Sequence, residues 1–518
     1  MNALELVGCL ALCFGVSFGV LLWIIRLDRG GRLRKRHGDA HHGKDSNVPR
    51  IGGIGLAAGL FALPVAISLF LPAGGWNHHG EVAILCGALA MFALGLWDDL
   101  RPIGARLKLL GQVLIALVVF TGGLNITKFQ VPLTQEIIEL GGTESMLVTV
   151  IWLVALTNLI NLIDGVDGLA GGISLMVMAL LVYSSSGSGY IQLLCAGMAG
   201  ALVAFLIFNF PPARVYMGDG GAYLLGFLIG ATTIASSQKG TVMAALIAPL
   251  FVLALPILDT GLAILRRGLR GLPVFRPDRR HLHHRMMGLG WSRRRIVLSV
   301  YCFCLLFLLL GFAAFWSRGQ WFPILVGIGV LIIVIAAWNL SFSREWFAVG
   351  RILGNSLQMR ADIQYALVQT RWLAMEGRRA ASIEDLWRDF VFIAQKLGFH
   401  FARLQLADGE RAWDGTHGAL ELKSYRGELQ GGRLGVLELK ARLVPRASEL
   451  DGRADPGGHP DPFRPRIVDA AMFEILTDVL VEGWMKATRA WIRFHDGSEE
   501  QLRFDMTRMA RHLSVGAR

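Results

Sequence analysis

The sequence predicts an all-α polytopic membrane protein, with about eleven transmembrane helices followed by a C-terminal cytoplasmic α+β domain. Three observations predict it. Of 518 residues, 53% are hydrophobic and only 17% are charged, against about 25% charged in soluble globular chains. Apolar runs long enough to cross a bilayer, which takes about 17–25 residues, recur along the first two thirds of the chain. Lysine and arginine are concentrated on one set of alternating loops between those runs.

The apolar segments are 4–25, 51–72, 80–96, 107–125, 147–163, 169–185, 191–209, 220–236, 242–265, 296–316 and 322–341. The first lacks a basic leader and is long for a signal peptide, so it reads as a retained span. Loops 26–50, 97–106, 164–168, 210–219 and 266–295 carry 21 Lys and Arg, and the alternate loops carry three. Positive loops stay in the cytoplasm. The N-terminus is then outside and the C-terminus inside. Cys9, Cys13, Cys86, Cys195, Cys302 and Cys304 fall inside apolar runs without CxxC spacing, which predicts buried thiols and no disulfides. The formal charge of +12 suits anionic substrates and lipid headgroups rather than nucleic acid.

Two domains follow: 1–341 in the membrane and 342–518 in the cytoplasm. In the second, Ser382–Leu397 places Ile383, Leu386, Phe390, Ile393 and Leu397 on one helical face. Alternating runs at 399–406, 418–425 and 433–442 read as strands. A Pro/Gly/Asp-rich linker at 451–465 precedes an apolar helix at 466–490. This order resembles a GAF-type sensor fold.

Acidic residues near membrane level are costly and usually mark a site. Four sets sit at cytoplasmic ends of spans. Asp98-Asp99, with Lys108 nearby, are adjacent carboxylates that a cation or proton must offset, and Mg²⁺ prefers oxygen ligands. The plainer alternative is a solvated, capping turn. NLINLIDGVDGLAGG (158–172) concentrates Asn158, Asn161, Asp164 and Asp167, with glycines allowing a tight reversal. In FNFPPARVYMGDGGAYLLG (208–226), Asp219 opens a helix whose N–H groups could face a diphosphate; an N-cap role for Asp219 is the plainer reading. RPDRRHLHHRMMGLG (276–290) surrounds His281, His283 and His284 with Arg279, Arg280 and Arg285. Arginine favours phosphate and disfavours zinc, and contact with lipid headgroups is the alternative. His37, His41 and His42 read as solvated. VPRIGGIG (48–55) has too few features to be a nucleotide loop.

Taken together, VPRIGG, the Asp pair, NLINLIDGVDGLAGG, VYMGDGG and DRRHLHHR resemble the blocks of the polyprenyl-phosphate N-acetylhexosamine-1-phosphate transferase family, over residues 1–341. The resemblance implies Mg²⁺, replaceable by Mn²⁺, held by Asp219 and Asn161. It implies catalytic tasks for Asp98, Asp99 and Asp164. It implies substrate contacts from Lys108, Asp167, Asn209, Arg280, His281, His283, His284 and Arg285, with Asp167 and Asn209 toward the uracil. HLHHR looks more like the GlcNAc-type branch than the muramoyl-pentapeptide branch, whose loop has three consecutive histidines. Ala222 departs from the serine that many relatives carry.

The implied reaction transfers HexNAc-1-phosphate, GlcNAc-1-phosphate first among the choices, from a UDP-sugar to undecaprenyl phosphate. UMP leaves, and the product primes a cell-surface polysaccharide such as O-antigen. The implied partners are the UDP-sugar, undecaprenyl phosphate and membrane lipids, with a homodimer compatible and nucleic acid excluded. The competing reading is a transporter or flippase, which would need polar residues near mid-membrane. Here the ionisable residues gather at one face.

Overall fold

The computed structural model describes residues 2–28, 48–70, 79–130, 136–185, 188–238, 250–269, 286–287, 290–317, 320–339, 361–406, 409–415, 422–429, 435–442 and 470–494. The Cα framework divides into two compact units, one made of 1–264 and 277–344, the other of 265–276 and 345–518.

The first unit is a helical bundle. Its helices are α1 Ala3–Leu27, α2 Gly53–Phe70, α3 His79–Leu100, α4 Ala105–Thr121, α5 Gly142–Ile163, α6 Leu169–Ser184, α7 Gly189–Asn209, α8 Gly218–Gln238, α9 Ala254–Leu269 (which runs past the unit's edge), α10 Arg293–Trp316 and α11 Phe322–Asn339. Each of the eleven apolar segments overlaps one of them. Six are long and apolar enough to cross a membrane: Ala3–Leu27, Gly53–Phe70, Gly80–Leu100, Gly142–Ile163, Gly189–Asn209 and Arg293–Ala314. Leu169–Ser184 and Phe322–Ile335 are shorter apolar helices. The remaining three have visible reasons for falling short. Helix α4 opens on Arg106 and Lys108, α8 begins GDGG and ends SSQ, and α9 carries Arg266 and Arg267 near its end. The chain is thus a multi-pass membrane protein, and a count of eleven spans stays an expectation.

Helix α7 lies inside the bundle, packed by α1, α2 and α6, while α8 packs on α2, α3, α5 and α6. Small residues allow the close crossings that membrane helices favour. At Gly95 on α3 an added Cβ would lie 2.5 Å from the carbonyl oxygen of Asp219. That crossing brings the end of α3 onto the start of α8. Before α2, residues 49–53 pair with 216–217 through backbone bonds: Tyr216 N–H to Pro49 O at 2.9 Å, Gly52 N–H to Tyr216 O at 2.8 Å and Gly53 N–H to Met217 O at 2.9 Å. VPRIGG therefore braces the α7–α8 loop. A short antiparallel hairpin, β1 Lys128–Gln130 and β2 Ile137–Glu139, lies between α4 and α5.

All six cysteines are unpaired, as expected, but burial holds for only four of them: Cys86 and Cys302 are exposed. Both sit on outward helix surfaces, where a thiol serves as a small apolar group.

The second unit is α+β. Helix α12 covers 361–376, α13 covers Ile383–Lys396 and α14 covers Ala470–Phe494. Ser382 and Asp385 form a reciprocal capping box, with Asp385 N–H donating to the Ser382 hydroxyl at 3.2 Å and Ser382 N–H to the Asp385 carboxylate at 3.2 Å. Strands β3 Phe401–Leu406, β4 Gly409–Asp414, β5 Leu422–Glu428 and β6 Val436–Arg442 form one antiparallel sheet in the order β4-β3-β6-β5. Strand β4 (GERAWD) escaped the sequence reading because its charges leave little apolar signal, and residues 418–421 of the expected strand 418–425 lie outside the described residues. Trp387, Phe390 and Trp484 pack the helices together, with Trp387 edge-on to Trp484 at 5.6 Å between centroids. Such pairs add about 0.5–1.5 kcal/mol beyond burial.

Candidate active site

Three helix ends meet at a cluster of three carboxylates and one ammonium. Lys108 Nζ, on the first turn of α4, lies 2.5 Å from Asp98 Oδ2 and 3.0 Å from Asp219 Oδ2. Asp98 fixes the α3–α4 turn as well, because its Oδ1 accepts the Ile103 N–H at 2.8 Å. Pro102 ends α3 and lets the chain re-enter the bundle as α4. Asp98 and Lys108 lie on opposite arms of that turn, so local chain geometry makes their meeting cheap. Asp219 reaches them from α8, more than a hundred residues on, and also accepts the Tyr223 hydroxyl at 3.4 Å.

Asp99 does something different. Its Oδ1 accepts the Asp219 N–H and its Oδ2 the Gly220 N–H, each at 3.0 Å. The start of α8 is thereby capped by a carboxylate from another helix. The expectation that these N–H groups face a diphosphate is corrected here, since an internal anion already holds them. Asp219 is likewise not its own helix's cap. Gly218 has φ +76°, and a Cβ there would meet Asp99 Oδ2 at 2.5 Å. Glycine is required both by the left-handed backbone and by the carboxylate's approach.

A second cluster frames the loop after α5. Asn209, 2% exposed, accepts the Gly168 N–H at 2.8 Å and donates to the Val215 carbonyl at 2.8 Å. It clamps the 164–168 loop to the 210–217 loop with its whole amide. Asp167, buried on the same loop, accepts the Ala213 N–H at 3.4 Å and lies 3.7 Å from Arg293 Nη1. Arg294 Nε donates to the Pro211 carbonyl at 2.7 Å, and the Tyr301 hydroxyl donates to the Gly168 carbonyl at 2.5 Å. Helix α10 thus pins both loops.

The structure brings Asp98, Asp99, Lys108 and Asp219 into one cluster and Asp167 and Asn209 into the other. Asp164 is buried at the C-cap of α5, and Asn161 is half-buried one turn earlier. Asn158, also on α5, donates to Gln112 on α4 at 2.6 Å. Arg280, His281, His283, His284 and Arg285 lie outside the described residues. Ala222 is fully buried within α8, where no hydroxyl partner is needed.

Arg293, Arg294 and Tyr301 are the residues sequence reasoning missed. The run SRRRI counted only as loop charge. Arg294 and Tyr301 lie seven apart, two turns along one helix face, and that spacing was the available signal.

Among the described residues no three His, Cys, Asp or Glu side chains converge as a metal cage. The donor set still suits a hard dication. Two carboxylates face one lysine, the donors are oxygen, and 26% of the Asp219 side chain is exposed. Asp98 and Asp219 are the carboxylates whose side chains face the shared centre, whereas Asp99 is committed to the backbone.

The family model described as glycosyl transferase family 4 matches residues 82–237. A probable undecaprenyl-phosphate N-acetylglucosaminyl 1-phosphate transferase of Bacillus subtilis (strain 168) is 34% identical over 259 residues, which is 50% of this chain and 70% of the relative. A decaprenyl-phosphate N-acetylglucosaminephosphotransferase of Mycobacterium leprae (strain TN) is 34% identical, covering 49% and 70%. A phospho-N-acetylmuramoyl-pentapeptide-transferase of Desulforudis audaxviator (strain MP104C) is 32% identical, covering 57% and 92%. Asp98, Asp99, Lys108, Asp167, Asn209 and Asp219 lie within the matched span, and the chain belongs to glycosyl transferase family 4.

Proposed function

We propose that this protein transfers GlcNAc-1-phosphate from UDP-GlcNAc to undecaprenyl phosphate at the cytoplasmic face of a bacterial inner membrane, as a priming step for a cell-surface polysaccharide. The observation that carries the reading is Lys108 held between Asp98 and Asp219 at the meeting of α3, α4 and α8. A polar nucleotide-sugar cannot enter the bilayer and a polyprenyl tail cannot leave it, so the chemistry belongs at helix ends like these. The relatives named for polyprenyl-phosphate GlcNAc-1-phosphate transfer support the substrate class.

In the proposed step a lipid-phosphate oxygen attacks the β-phosphorus of the donor. The bond from that phosphorus to the bridging oxygen breaks, and UMP departs with the electron pair. Lys108 offsets charge on the phosphates. Asp98 orients Lys108 and the incoming lipid phosphate, which is already ionised near neutral pH. Asp99 keeps the start of α8 in place. Asp167, Asn209 and Arg293 shape the donor-side loops, and the Arg280–Arg285 loop is assigned to the diphosphate and sugar. Mg²⁺ on Asp219, with Asn161 as a neutral oxygen donor, would supply neutralisation of the diphosphate. The C-terminal unit is assigned to the cytoplasm, with a GAF-type fold as its proposed class.

The test uses purified protein with labelled UDP-GlcNAc and undecaprenyl phosphate, with and without a chelator. The expected result is organic-soluble label, UMP in equal amount, and loss of both on chelation. A panel of UDP-GalNAc and UDP-FucNAc fixes the sugar. Label in the lipid without UMP, as UDP would indicate, overturns the reaction assigned.

A further inference from the structure

Among the described residues, helix α12 has one face with a partner and one without. Its inner face sets Ile363, Ala366, Thr370 and Leu373 against the domain core. Gly483 of α14 lies so close that an added Cβ would meet Thr370 Cβ at 2.7 Å. The outer face carries Tyr365, Val368, Trp372 and Met375, which are 38%, 58%, 36% and 58% exposed.

The spacing on that outer face is three, four, three. This is the a, d, a, d pattern of a coiled-coil seam, with Tyr365 and Trp372 at a and Val368 and Met375 at d. The flanks complete the heptad: Gln364 and Arg371 fall at g, Gln369 and Glu376 at e. In a parallel, in-register pair each g residue faces the e residue five positions on in the other helix. That sets Arg371 opposite Glu376, and Gln364 opposite Gln369, twice each by the two-fold axis. An antiparallel pair would give no opposite-charge match.

We propose that α12 is the seam of a parallel homodimer, its occupant being α12 of a second copy of this chain. A bilayer surface is the competing occupant. It fits less well, because an interfacial helix favours basic residues on both flanks, and here Glu376 and Asp362 hold one of them. About two heptads would be marginal between chains in solution. Two copies anchored in one membrane share orientation and meet at high effective concentration, which favours the parallel pairing.

The experiment uses the full-length protein in lipid nanodiscs and native membranes. Val368→Cys should give a covalent dimer under mild oxidation, while Arg388→Cys, on an exposed side chain of α13, should give only the background of the native thiols. Arg371→Glu and Glu376→Arg should each lower the crosslinked fraction by roughly fivefold, as exposed ion pairs turned repulsive would. R371E/E376R together should restore it, which no folding defect would do. No excess crosslinking at Val368→Cys, single reversals without effect, or failure of the double variant to recover overturns the proposal. So does quenching of a fluorophore on Val368→Cys by brominated acyl chains, which would place this face on the bilayer.

Discussion

The Asp99 carboxylate accepts the backbone N–H of Asp219 at 3.0 Å, tying the last turn of α3 to the first turn of α8. With the companion bond from Gly220 it satisfies two N–H groups that a helix start leaves without intrahelical partners. The acid that looked like a reacting group in the sequence thus aims another acid. Asp99→Ala should lower unfolding stability by about 1–3 kcal/mol, the usual cost of stranding buried donors. Asp99→Asn, which keeps one acceptor oxygen, should lose less. Thermal unfolding in nanodiscs reads the difference. Equal stability of Asp99→Ala and wild type would remove the capping role.

Among the described residues, Lys108 is the one cation touching both Asp98 and Asp219. Lys108→Met keeps the length of the side chain and removes its charge. Transfer should fall by about 10²–10³-fold, the usual effect of deleting one preorganised electrostatic stabiliser. Rate measurement at saturating donor and acceptor checks this, and retention of more than a third of the wild-type rate contradicts it.

Arg293 stands beside the buried Asp167 with 43% of its side chain exposed, so it can lend charge to a ligand above the loop. Arg293→Ala should raise the KM for the nucleotide-sugar by about tenfold with a smaller change in kcat, as expected when binding shared by ground and transition states is removed. Arg293→Lys should recover part of that. A defect confined to kcat, with KM unchanged, would move Arg293 out of donor binding.

Asn209 uses its oxygen for Gly168 and its nitrogen for Val215. Asn209→Asp keeps the acceptor and loses the donor, leaving the Val215 carbonyl opposite a carboxylate. A stability loss of about 1–3 kcal/mol should appear in thermal unfolding, with the donor KM rising because both loops loosen. Wild-type values for both would show that the clamp is dispensable.

Much of the bundle was legible because apolar length and loop charge are local properties of sequence. Helix α1 and helix α7 could be bounded within a few residues on that basis. The clusters were legible as residue types: carboxylates and amides are conspicuous in apolar surroundings. Their division of labour was not. Nothing in WDDLRP distinguishes Asp98, which reaches Lys108, from Asp99, which caps α8, since that depends on how closely α3 crosses α8 at Gly95. VPRIGG looked featureless because its work is done by backbone groups. Arg293 and Tyr301 were hidden because their partners, Asp167 and the Gly168 carbonyl, lie more than a hundred residues away. In the C-terminal unit, the apolar face of α13 was plain from its spacing, while three of the six residues of β4 (GERAWD) are charged and leave little apolar signal.

The account stands on the carboxylate–lysine centre as the place where phosphoryl transfer occurs, and Asp219→Asn tests it most directly. The substitution is nearly isosteric and leaves the backbone N–H that Asp99 holds, so the fold should persist. Single-turnover transfer from labelled UDP-GlcNAc should drop by at least about 10²-fold while thermal unfolding stays near wild type. A folded Asp219→Asn protein that transfers at close to the wild-type rate would contradict it.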